Sequence, residues 1–560
     1  MMVTGLIFKL FNSIKINQMK NINLNKFKTL LLIVGVLFFV SCSENEEFLK
    51  QTRLFRPVLN KELTSVDNTI IVNMGKMKEA IRYKVEIIRD TFKTIVRTFE
   101  GPENNVIFTE LVWNALYQVR ATAYAADEQY NSKVSDLGEI KTQRFPSIMA
   151  IPASSDVIDT GAKVHWATED SGAAVTAVKV FAFEDELLQT PLASHTVSDA
   201  ERLAGEKIIY GLTPGTKYQI AIYSEENARG WEVYATKPPL VVGANDVDLR
   251  GINDPAILSA TLSNPATVAG STIILDGNYI YNISSSYSFN KSLKIKSGYS
   301  FNPAGATLNM VSNFNIVAAS NVESIVFEGL TLTSTDLAAS SKYVFNVNQS
   351  STVGEIVFND CKINNFRGVA RFQSSTGTLG KYVINNSIVS NIGGYGVFNI
   401  DVATWTAGDI LFKNSTIYRT NVFMASKSTT ATASVTIEDC TLNEFVARGR
   451  AIFAWVNNVT NGITIKNTVV GRGWETTAGG TNYTIVGYSG LDNSNFIVVN
   501  SYATSEFLYV AGAKTIPGFP SFTYAKKVDD LWVNASIGDF TFKDSGFGGL
   551  KDSGDPRWRL

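Results

Sequence analysis

Arginine and aromatic side chains recur through the second half of the chain, and both residue types can recognise sugars. Exposed arginines can bind carboxylate or sulfate groups bidentately, and exposed aromatic rings can stack on sugar rings. The alternatives are arginines that pair with neighbouring acids and rings that fill a β-sheet core. The sequence contains no zinc-spaced His/Cys set, phosphate-binding glycine loop or Ser-His-Asp arrangement. The candidate substrate-binding residues are Arg367, Arg371, Tyr395, Trp405, Trp455 and Trp474.

The composition excludes several classes of protein. Hydrophobic residues make up 45% of the 560 residues, which is enough for large cores and excludes disorder of the whole chain. Charged residues are only 18% and the net charge is −1, so the chain has no overall positive field for DNA or RNA. Two histidines and three cysteines exclude a disulfide scaffold and most His-rich or Cys-rich metal sites. We therefore expect an all-β protein outside the cytoplasm, without a nucleic-acid partner.

A recurring segment within residues 242–525 predicts a solenoid. Seven copies place Gly, Asn or Asp between two β-forming runs, at spacings of 25 to 33 residues. These residue types adopt the left-handed backbone conformation at low cost, so each can form a tight corner. The spacing is typical of one coil of a right-handed parallel β-helix with three short strands per coil. The predicted corner column is Gly329, Asp360, Asn386, Asn414, Asp439, Asn467 and Asn500.

The position after each corner is small or apolar, as the inside of a stack requires. Cys361 and Cys440 occupy it three coils apart, about 14 Å at roughly 4.8 Å per coil, which is too far for a disulfide. Asp360 and Asp439 are therefore interpreted as corner residues and not as metal ligands. Upstream, Asp254-Pro255 predicts the start of a short helix that covers the open end of the first coil.

Two smaller β domains precede the array. Residues 55–145 alternate in short strands, which predicts a β-sandwich. Residues 146–241 contain the run Leu-Thr-Pro-Gly-Thr-Lys-Tyr ending at Tyr218, which resembles the fibronectin type III signature and implies that Tyr218 is the tyrosine corner. Such domains are mostly spacers. His165 and His195 both lie in this second domain and are interpreted as surface or core residues.

The array itself resembles the pectate lyase and chondroitinase B-like β-helix superfamily, on the segments from Gly270 to Tyr279 and from Leu293 to Gly298. Lyases of this superfamily cleave uronate-containing chains by β-elimination. The run Met-Ala-Ser-Lys-Ser resembles the segment that carries their base, which implies Lys427 as a catalytic base. Arg448 and Arg450 follow about one coil later and would assist it.

Two further observations bear on this catalytic hypothesis. If the arginines stack on Lys427, their repulsion would lower the pKa of its ammonium group, as a base requires. The Arg-His-Gly segment of those lyases is absent, and Thr420 and Val422 stand where the resemblance would place calcium-binding acids. We therefore expect no cofactor and no metal. Structural and glycan-contacting roles for Lys427 remain as alternatives.

The two ends of the chain indicate where the protein acts. Residues 1–42 resemble a bacterial lipoprotein signal peptide, with Met19 as a second start and Cys42 as the lipid anchor. Residues 43–54 form an acidic linker that resembles the surface-export signal of Bacteroidota lipoproteins. Residues 526–560, predicted to cap the β-helix, resemble the ends of Bacteroidota surface lipoproteins from glycan-utilisation loci, a family of unassigned function.

These features together predict a surface-exposed lipoprotein of the outer membrane. Two fibronectin type III-like sandwiches would hold the β-helix away from the membrane. The leading hypothesis is a protein that binds or helps to process a polysaccharide, acidic and pectin-like, alongside other proteins of a glycan-uptake complex. The alternatives are a polysaccharide lyase acting by β-elimination and a non-catalytic adhesin or stalk.

Overall fold

The computed structural model describes residues 52–89, 91, 93–168, 174–334, 342–373 and 375–560. The predicted signal peptide, its cysteine Cys42 and most of the acidic linker lie outside these described residues. The chain divides into two compact units, with the division between Pro146 and Ser147. The expected all-β fold class is confirmed, because strands dominate both units.

The first unit is a sandwich of a three-stranded sheet on a four-stranded sheet. Alternate residues of the strands point into one shared core, as the period-two pattern predicts. The backbone N–H of Val112 donates a hydrogen bond of 3.0 Å to the hydroxyl of Tyr117. This is a tyrosine corner that the sequence analysis missed. The strands are β1 Thr64–Val66, β2 Thr69–Asn73, β3 Arg82–Arg89, β4 Thr94–Gly101, β5 Asn105–Phe108, β6 Leu116–Tyr124 and β7 Ser135–Lys141.

The second unit begins with another sandwich, whose main sheet has the order β10-β9-β12-β13 and whose smaller sheet pairs β11 with β8. The predicted tyrosine corner is confirmed, because the N–H of Thr213 donates to the hydroxyl of Tyr218 at 2.9 Å. The elements are β8 Gly161–His165, β9 Ala177–Ala182, β10 Pro191–Thr196, α1 Asp199–Ala204, β11 Glu206–Tyr210, β12 Lys217–Ser224 and β13 Asn227–Ala235.

Tyr218→Phe is expected to lower the free energy of unfolding of this sandwich by about 1–3 kcal/mol. The substitution removes only the oxygen, so the N–H of Thr213 loses its acceptor while the ring stays in the core. Urea unfolding measures the loss. Tyr210→Phe is the control, since the Tyr210 side chain is exposed on β11, and an equal loss in both variants would contradict the prediction.

The β-helix follows directly and fills most of the second unit. A short helix, α2 Ile257–Ser263, precedes its first full coil. Its strands are β14 Val247–Asp248, β15 Thr272–Leu275, β16 Ile280–Asn282, β17 Tyr287–Phe289, β18 Leu293–Ser297, β19 Ala306–Asn309, β20 Phe314–Ile316, β21 Asn321–Glu328, β22 Leu330–Thr333, β23 Tyr343–Val347, β24 Ser351–Asn359, β25 Lys362–Phe372, β26 Gly377–Asn385, β27 Ile388–Ile400, β28 Trp405–Lys413, β29 Thr416–Thr420, β30 Met424–Ser426, β31 Ser434–Glu438, β32 Thr441–Asn443, β33 Ala451–Trp455, β34 Ile463–Lys466, β35 Val469–Val470, β36 Val486–Ser489, β37 Phe496–Val499, β38 Tyr502–Thr504 and β39 Phe522–Tyr524.

These strands form three parallel sheets around one apolar core. Sheet A has the order β14-β15-β18-β21-β24-β26-β28-β31-β34-β37, and sheet B has the order β16-β19-β22-β25-β27-β29-β32-β35-β38-β39. Sheet C runs through β17, β20, β23, the second halves of β25 and β27, and then β30, β33 and β36. Aromatic rings stack from coil to coil inside, as between Phe327 and Phe358, whose centroids are 5.2 Å apart.

The predicted corner column is confirmed and joins sheet A to sheet B. All seven residues have a left-handed backbone, with φ between 47° and 67°. The side-chain amides also link successive coils, as when Asn467 donates to Asp439 at 3.1 Å. The next position faces inward, where the Cys361 N–H donates to the Ser387 hydroxyl at 2.9 Å. The described cysteines Cys361 and Cys440 are buried free thiols.

The helix predicted at Asp254-Pro255 is confirmed, although it begins slightly later, at Ile257. The Asp254 carboxylate accepts a hydrogen bond of 2.9 Å from the N–H of Ala256. Leu258 and Leu262 are buried against the first coil. This helix therefore covers the apolar end of the solenoid.

The C-terminal segment was predicted to cap the end of the β-helix. In the structure it packs instead along the outside of sheet B. The far end is covered by earlier residues, of which Phe507 and Phe519 pack into the core. Beyond them, α3 Val528–Leu531, β40 Trp532–Asn534 and β41 Asp539–Phe542 form a satellite core against sheet B, in contact with Tyr418 and Tyr502.

Residues 553–559, here called the C-terminal strap, then turn back along the corner column. Gly554 donates its N–H to the carbonyl of Asn467 at 2.8 Å. Arg559 donates to Asp439 at 2.6 Å, and Arg557 donates to Asn386 at 3.2 Å. The strap thus covers several coils on one flank, because its polar groups satisfy the side-chain and main-chain oxygens of that column.

Candidate functional site

Sheet C contains a bulge that brings polar side chains of neighbouring strands together. The pairing of β25 with β27 shifts from Phe366–Ile392 to Gly368–Gly396, so β27 has two extra residues there (396 − 392 against 368 − 366). Gly396 has a φ of 73°, and a Cβ at this position would lie 2.8 Å from Val422. Glycine is therefore required, and the bulged strand carries Tyr395 against the side chains of β25.

Two arginines and two tyrosines contact each other at this bulge. The guanidinium carbon of Arg371 lies 3.9 Å from the ring centroid of Tyr395, and that of Arg367 lies 4.7 Å from it. Tyr343 contacts both the Tyr395 ring, at 5.6 Å between centroids, and the Arg371 guanidinium. Such cation–π contacts fix the planes of the guanidinium groups. With two charged neighbours they form the arginine–tyrosine cluster, defined as Tyr343, Arg367, Arg371, Tyr395, Asp401 and Lys427.

Asp401 lies between two cations of this cluster. Its carboxylate accepts hydrogen bonds from Arg371 Nε at 2.9 Å and from Lys427 Nζ at 2.7 Å. Burial opposes ionisation of Asp401, but the hydrogen bonds from Lys427 and Arg371 prevail and lower the pKa of its carboxyl group. The Asp401 side chain is 13% exposed, whereas that of Lys427 is 65% exposed. Asp401 thus anchors Arg371 in the surface while Lys427 extends to solvent.

Arg367 differs from Arg371 in its charge environment. Within the part of the chain that the structure describes, no carboxylate lies within 4.0 Å of its guanidinium group, and its contacts are the rings of Tyr343 and Tyr395. Ring contacts orient a guanidinium without using its in-plane N–H donors. Arg367 can therefore accept a carboxylate or sulfate from a ligand.

The predicted stacking of Lys427 on Arg448 or Arg450 is wrong. Ser426 pairs with Trp455 in the next coil, so Val456 follows Lys427 in register. The arginines precede that position by eight and six residues (456 − 448 and 456 − 450), at the other end of β33. Arg448 instead pairs with Glu475 at 2.8 Å. The structure therefore does not bring the three predicted catalytic residues together.

A second charged groove, of about 460 Å³, follows the corner between sheets B and C. Glu444 accepts ion pairs from Arg419 at 3.4 Å and from Arg472 at 3.0 Å, and Arg472 also pairs with Glu506 at 3.1 Å. The Arg472 guanidinium lies 4.3 Å from the ring centroid of Tyr483. These charges neutralise one another. We therefore interpret the ion pairs as structural contacts between successive coils and not as a ligand site.

The three predicted sugar-binding tryptophans lie in different environments. Trp405 and Trp455 are buried in the core, and their indole N–H groups donate to Ser375 and Thr432, each at 3.0 Å. Neither ring can stack on a sugar, so this interpretation is wrong for both. Trp474 is half-buried and lines the second groove.

Sequence reasoning missed Tyr343 and Asp401, which complete the arginine–tyrosine cluster. Asp401 directly follows the long apolar strand β27, and Lys427 directly follows β30, which pairs with it. Two opposite charges at equivalent strand ends were the available signal. Tyr343 gave no signal, because its contact depends on the bulge in β27.

Within the described ranges, no group of three or more His, Cys, Asp or Glu side chains could hold a metal ion. None of the helices in those ranges is long and apolar enough to cross a membrane.

Two family models match the β-helix and the C-terminal segment that follows it. A family described as a domain of unknown function, DUF4957, matches residues 279–420, and a second such family, DUF5123, matches residues 435–558. No curated protein matches the chain.

Solved structures of fibronectin domains each match about a third of the chain. The FN1–FN3 domains of chicken CNTN1 are 12% identical, with coverage of 33% of this chain and 68% of that one and a TM-score of 0.15. A two-domain fibronectin type III segment of chicken tenascin is 17% identical, with coverage of 32% and 99% and a TM-score of 0.16. The class defined by the fold is a protein with fibronectin type III-like sandwiches followed by a parallel β-helix.

Proposed function

We propose that this protein binds an acidic polysaccharide through the arginine–tyrosine cluster on sheet C. The single observation that carries the proposal is the guanidinium group of Arg367, which is held by two tyrosine rings and has no carboxylate partner among the described residues. Bidentate arginine contacts are well suited to the carboxylates of a uronate chain. The cluster carries three cations and one carboxylate, a net charge of +2 (3 − 1), which favours a polyanion.

The geometry favours binding over β-elimination. A catalytic base must lie within reach of the substrate proton, whereas the amine of Lys427 donates a hydrogen bond of 2.7 Å to Asp401. No second cation follows Lys427 in the neighbouring coil, since Val456 occupies that position. In the binding hypothesis Lys427 contributes its charge from the surface, where its side chain is 65% exposed beside Asp401.

The proposed setting is the bacterial surface. A lipid on Cys42 would anchor the chain to the outer membrane, and the sandwiches would act as spacers beside other proteins of a glycan-uptake complex. Incorporation of radiolabelled palmitate in cells tests whether Cys42 carries a lipid, with Cys42→Ala as the matched variant. Equal labelling of both proteins would contradict the lipid anchor.

Arg367→Ala is expected to weaken binding of polygalacturonate by about tenfold or more, because a hydrogen-bonded charge pair is lost. Affinity gel electrophoresis measures the shift, with alginate and chondroitin sulfate as further polymers. Arg450→Ala is the matched control, since it removes an exposed arginine of the same domain outside the cluster.

Three outcomes separate the candidate functions. Retarded migration without an unsaturated product, reduced by Arg367→Ala only, supports binding. An absorbance increase from unsaturated uronate that Lys427→Ala abolishes would instead support a lyase. Unchanged migration in every polymer would contradict the proposal and favour an adhesin or stalk with another partner.

A further inference from the structure

A groove of about 590 Å³ lies between the second sandwich and the first coils of the β-helix. It follows the corner between sheets A and B. The sandwich contributes residues around β8 and the end of β13, and the β-helix contributes the loop from β18 to β19. That loop contacts the sandwich through Phe301, whose ring centroid lies 6.0 Å from that of Tyr210. A volume in this range suits a small ligand.

The floor of the groove is the part of the corner column that the C-terminal strap leaves uncovered. Arg557, in the strap, lines one end of the groove and donates to Asn386. Gly329 and Asp360, in the two preceding coils, also line the groove, and the charge of Arg557 reaches Asp360. Later in the column, the equivalent residue Asp439 is hydrogen-bonded to Arg559 of the strap. The groove thus begins where the chain's own covering segment stops.

Several charges in the groove are already compensated. Lys296 pairs with Glu328 at 3.1 Å, and His165 lies 3.3 Å from Asp156. Arg557 pairs with the buried Asp555 at 2.8 Å. These groups line the groove, and their charges already have partners within the protein.

Two lysines in the groove are not compensated in this way. Among the described residues, neither Lys237 nor Lys362 has a carboxylate within 4.0 Å. Lys362 donates to the carbonyl of Pro303 at 2.6 Å, and Lys237 lies 5.2 Å from the ring centroid of Tyr299. Burial and the neighbouring Arg557 lower the pKa of Lys362, and the nearby Asp360 opposes this shift.

Asp360, on the groove floor, interacts electrostatically with both lysines. It accepts a hydrogen bond from the amide of Asn386 at 3.2 Å and forms no salt bridge within the described part of the chain. Burial raises the pKa of its carboxyl group, with Glu328 as a further cause and the surrounding cations opposing the shift. Asp360 is therefore a weak counter-charge for the two lysines.

We infer that this groove binds an oxyanion-bearing small ligand, with a carboxylate or sulfate group held by Lys237 and Lys362. The lysines come from the sandwich and from the β-helix, so the ligand would contact both parts of the second unit. Its anionic group can belong to a sugar acid or be a free inorganic anion. The site is separate from the arginine–tyrosine cluster and does not rest on the proposed polysaccharide function.

Isothermal titration calorimetry of the full chain tests this site with sodium galacturonate, sodium sulfate and neutral galactose. We expect an anion to bind and galactose not to bind. Lys362→Met and Lys237→Met should each weaken anion binding by about tenfold, because each removes a charge while keeping most of the side-chain volume. Lys381→Met is the matched control, since it removes an exposed lysine from β26.

The outcomes distinguish the ligand sources and the two sites. Tighter binding of galacturonate than of sulfate indicates a sugar acid, whereas equal binding indicates a free oxyanion. An anion should still bind to the groove in Arg367→Ala, in which the cluster has lost its own anion-binding guanidinium group, so failure here is separable from failure of the polysaccharide proposal. Lys362→Arg keeps the charge and should keep binding, which guards against a folding defect in Lys362→Met. The proposed site would be wrong if both methionine variants bound the anion with wild-type affinity. It would also be wrong if neither anion gave a heat of binding with the wild-type protein.

Discussion

Trp405→Ala is expected to lower the free energy of unfolding of the β-helix by about 3–5 kcal/mol, the range for removing a buried aromatic side chain. The Trp405 side chain is 0% exposed, and its ring centroid lies 4.9 Å from that of Phe372. The indole N–H also donates to the Ser375 hydroxyl. The truncation therefore leaves a cavity at the start of β28, and the Ser375 hydroxyl loses the indole N–H that donates to it.

Urea unfolding followed by far-ultraviolet circular dichroism measures this loss. Trp474→Ala is the control, because that ring is half-buried beside the second groove and its removal leaves no sealed cavity. We expect a clearly smaller loss in the control and unchanged polysaccharide binding per folded molecule in Trp405→Ala. Native stability with lost binding in Trp405→Ala would show that the ring contacts ligand instead.

The repeat that defines the solenoid was predictable because it depends on local backbone chemistry. Gly, Asn and Asp are the residues that enter the left-handed region at low cost, and the column from Gly329 to Asn500 uses only those types. A one-dimensional pattern was therefore sufficient to locate the corners between sheets A and B.

A second left-handed column, between sheets B and C, was not predictable in the same way. Asn365 and Asn391 have φ values of 67° and 53°, but the next two positions are Arg419 and Glu444, each with a φ of 52°. Long charged residues seldom adopt this conformation. Here Arg419 and Glu444 both have the left-handed backbone and form an ion pair with each other. The sequence alone does not show that these two residues are neighbours in successive coils.

The candidate site shows the same division between local and long-range information. Arg367, Arg371 and Tyr395 were selected by residue type and Lys427 by the resemblance of its segment to that of lyases, and the structure brings these four together. The arrangement depends on the two-residue bulge in β27, which sequence periodicity did not reveal. Conversely, the buried tryptophans could not be distinguished from exposed ones, because β-helix strands alternate inward and outward without a strong polar pattern.

Asp401→Ala is expected to lower the free energy of unfolding by about 2–3 kcal/mol at pH 7. The substitution leaves the Arg371 guanidinium, which is only 15% exposed, without its carboxylate partner. Exposed Lys427 contributes little to this loss, since surface ion pairs are weak. Asp401→Asn is the matched control for shape, because it keeps two polar atoms in place and removes the charge.

The pH dependence of this loss gives a sharper test. Interactions with Lys427 and Arg371 outweigh burial and hold the pKa of Asp401 below its ordinary value of 3.8. A carboxyl group with a lowered pKa in the folded state stabilises the protein above its unfolded pKa, and that stabilisation disappears as pH falls through the folded pKa. The difference between wild type and Asp401→Asn should therefore be full at pH 7 and shrink below about pH 4.

Chemical denaturation of both proteins at pH 7, 5 and 3 measures this difference. Subtracting the two curves removes the acid sensitivity that both proteins share. Polysaccharide binding provides the second readout, because Arg371 loses its anchor while Arg367 keeps its tyrosine contacts. We expect Asp401→Asn to weaken binding less than Arg367→Ala does. A stability difference that stays constant down to pH 3 would mean that Asp401 is not ionised against Arg371 and Lys427, and the charge assignment of the cluster would then be wrong.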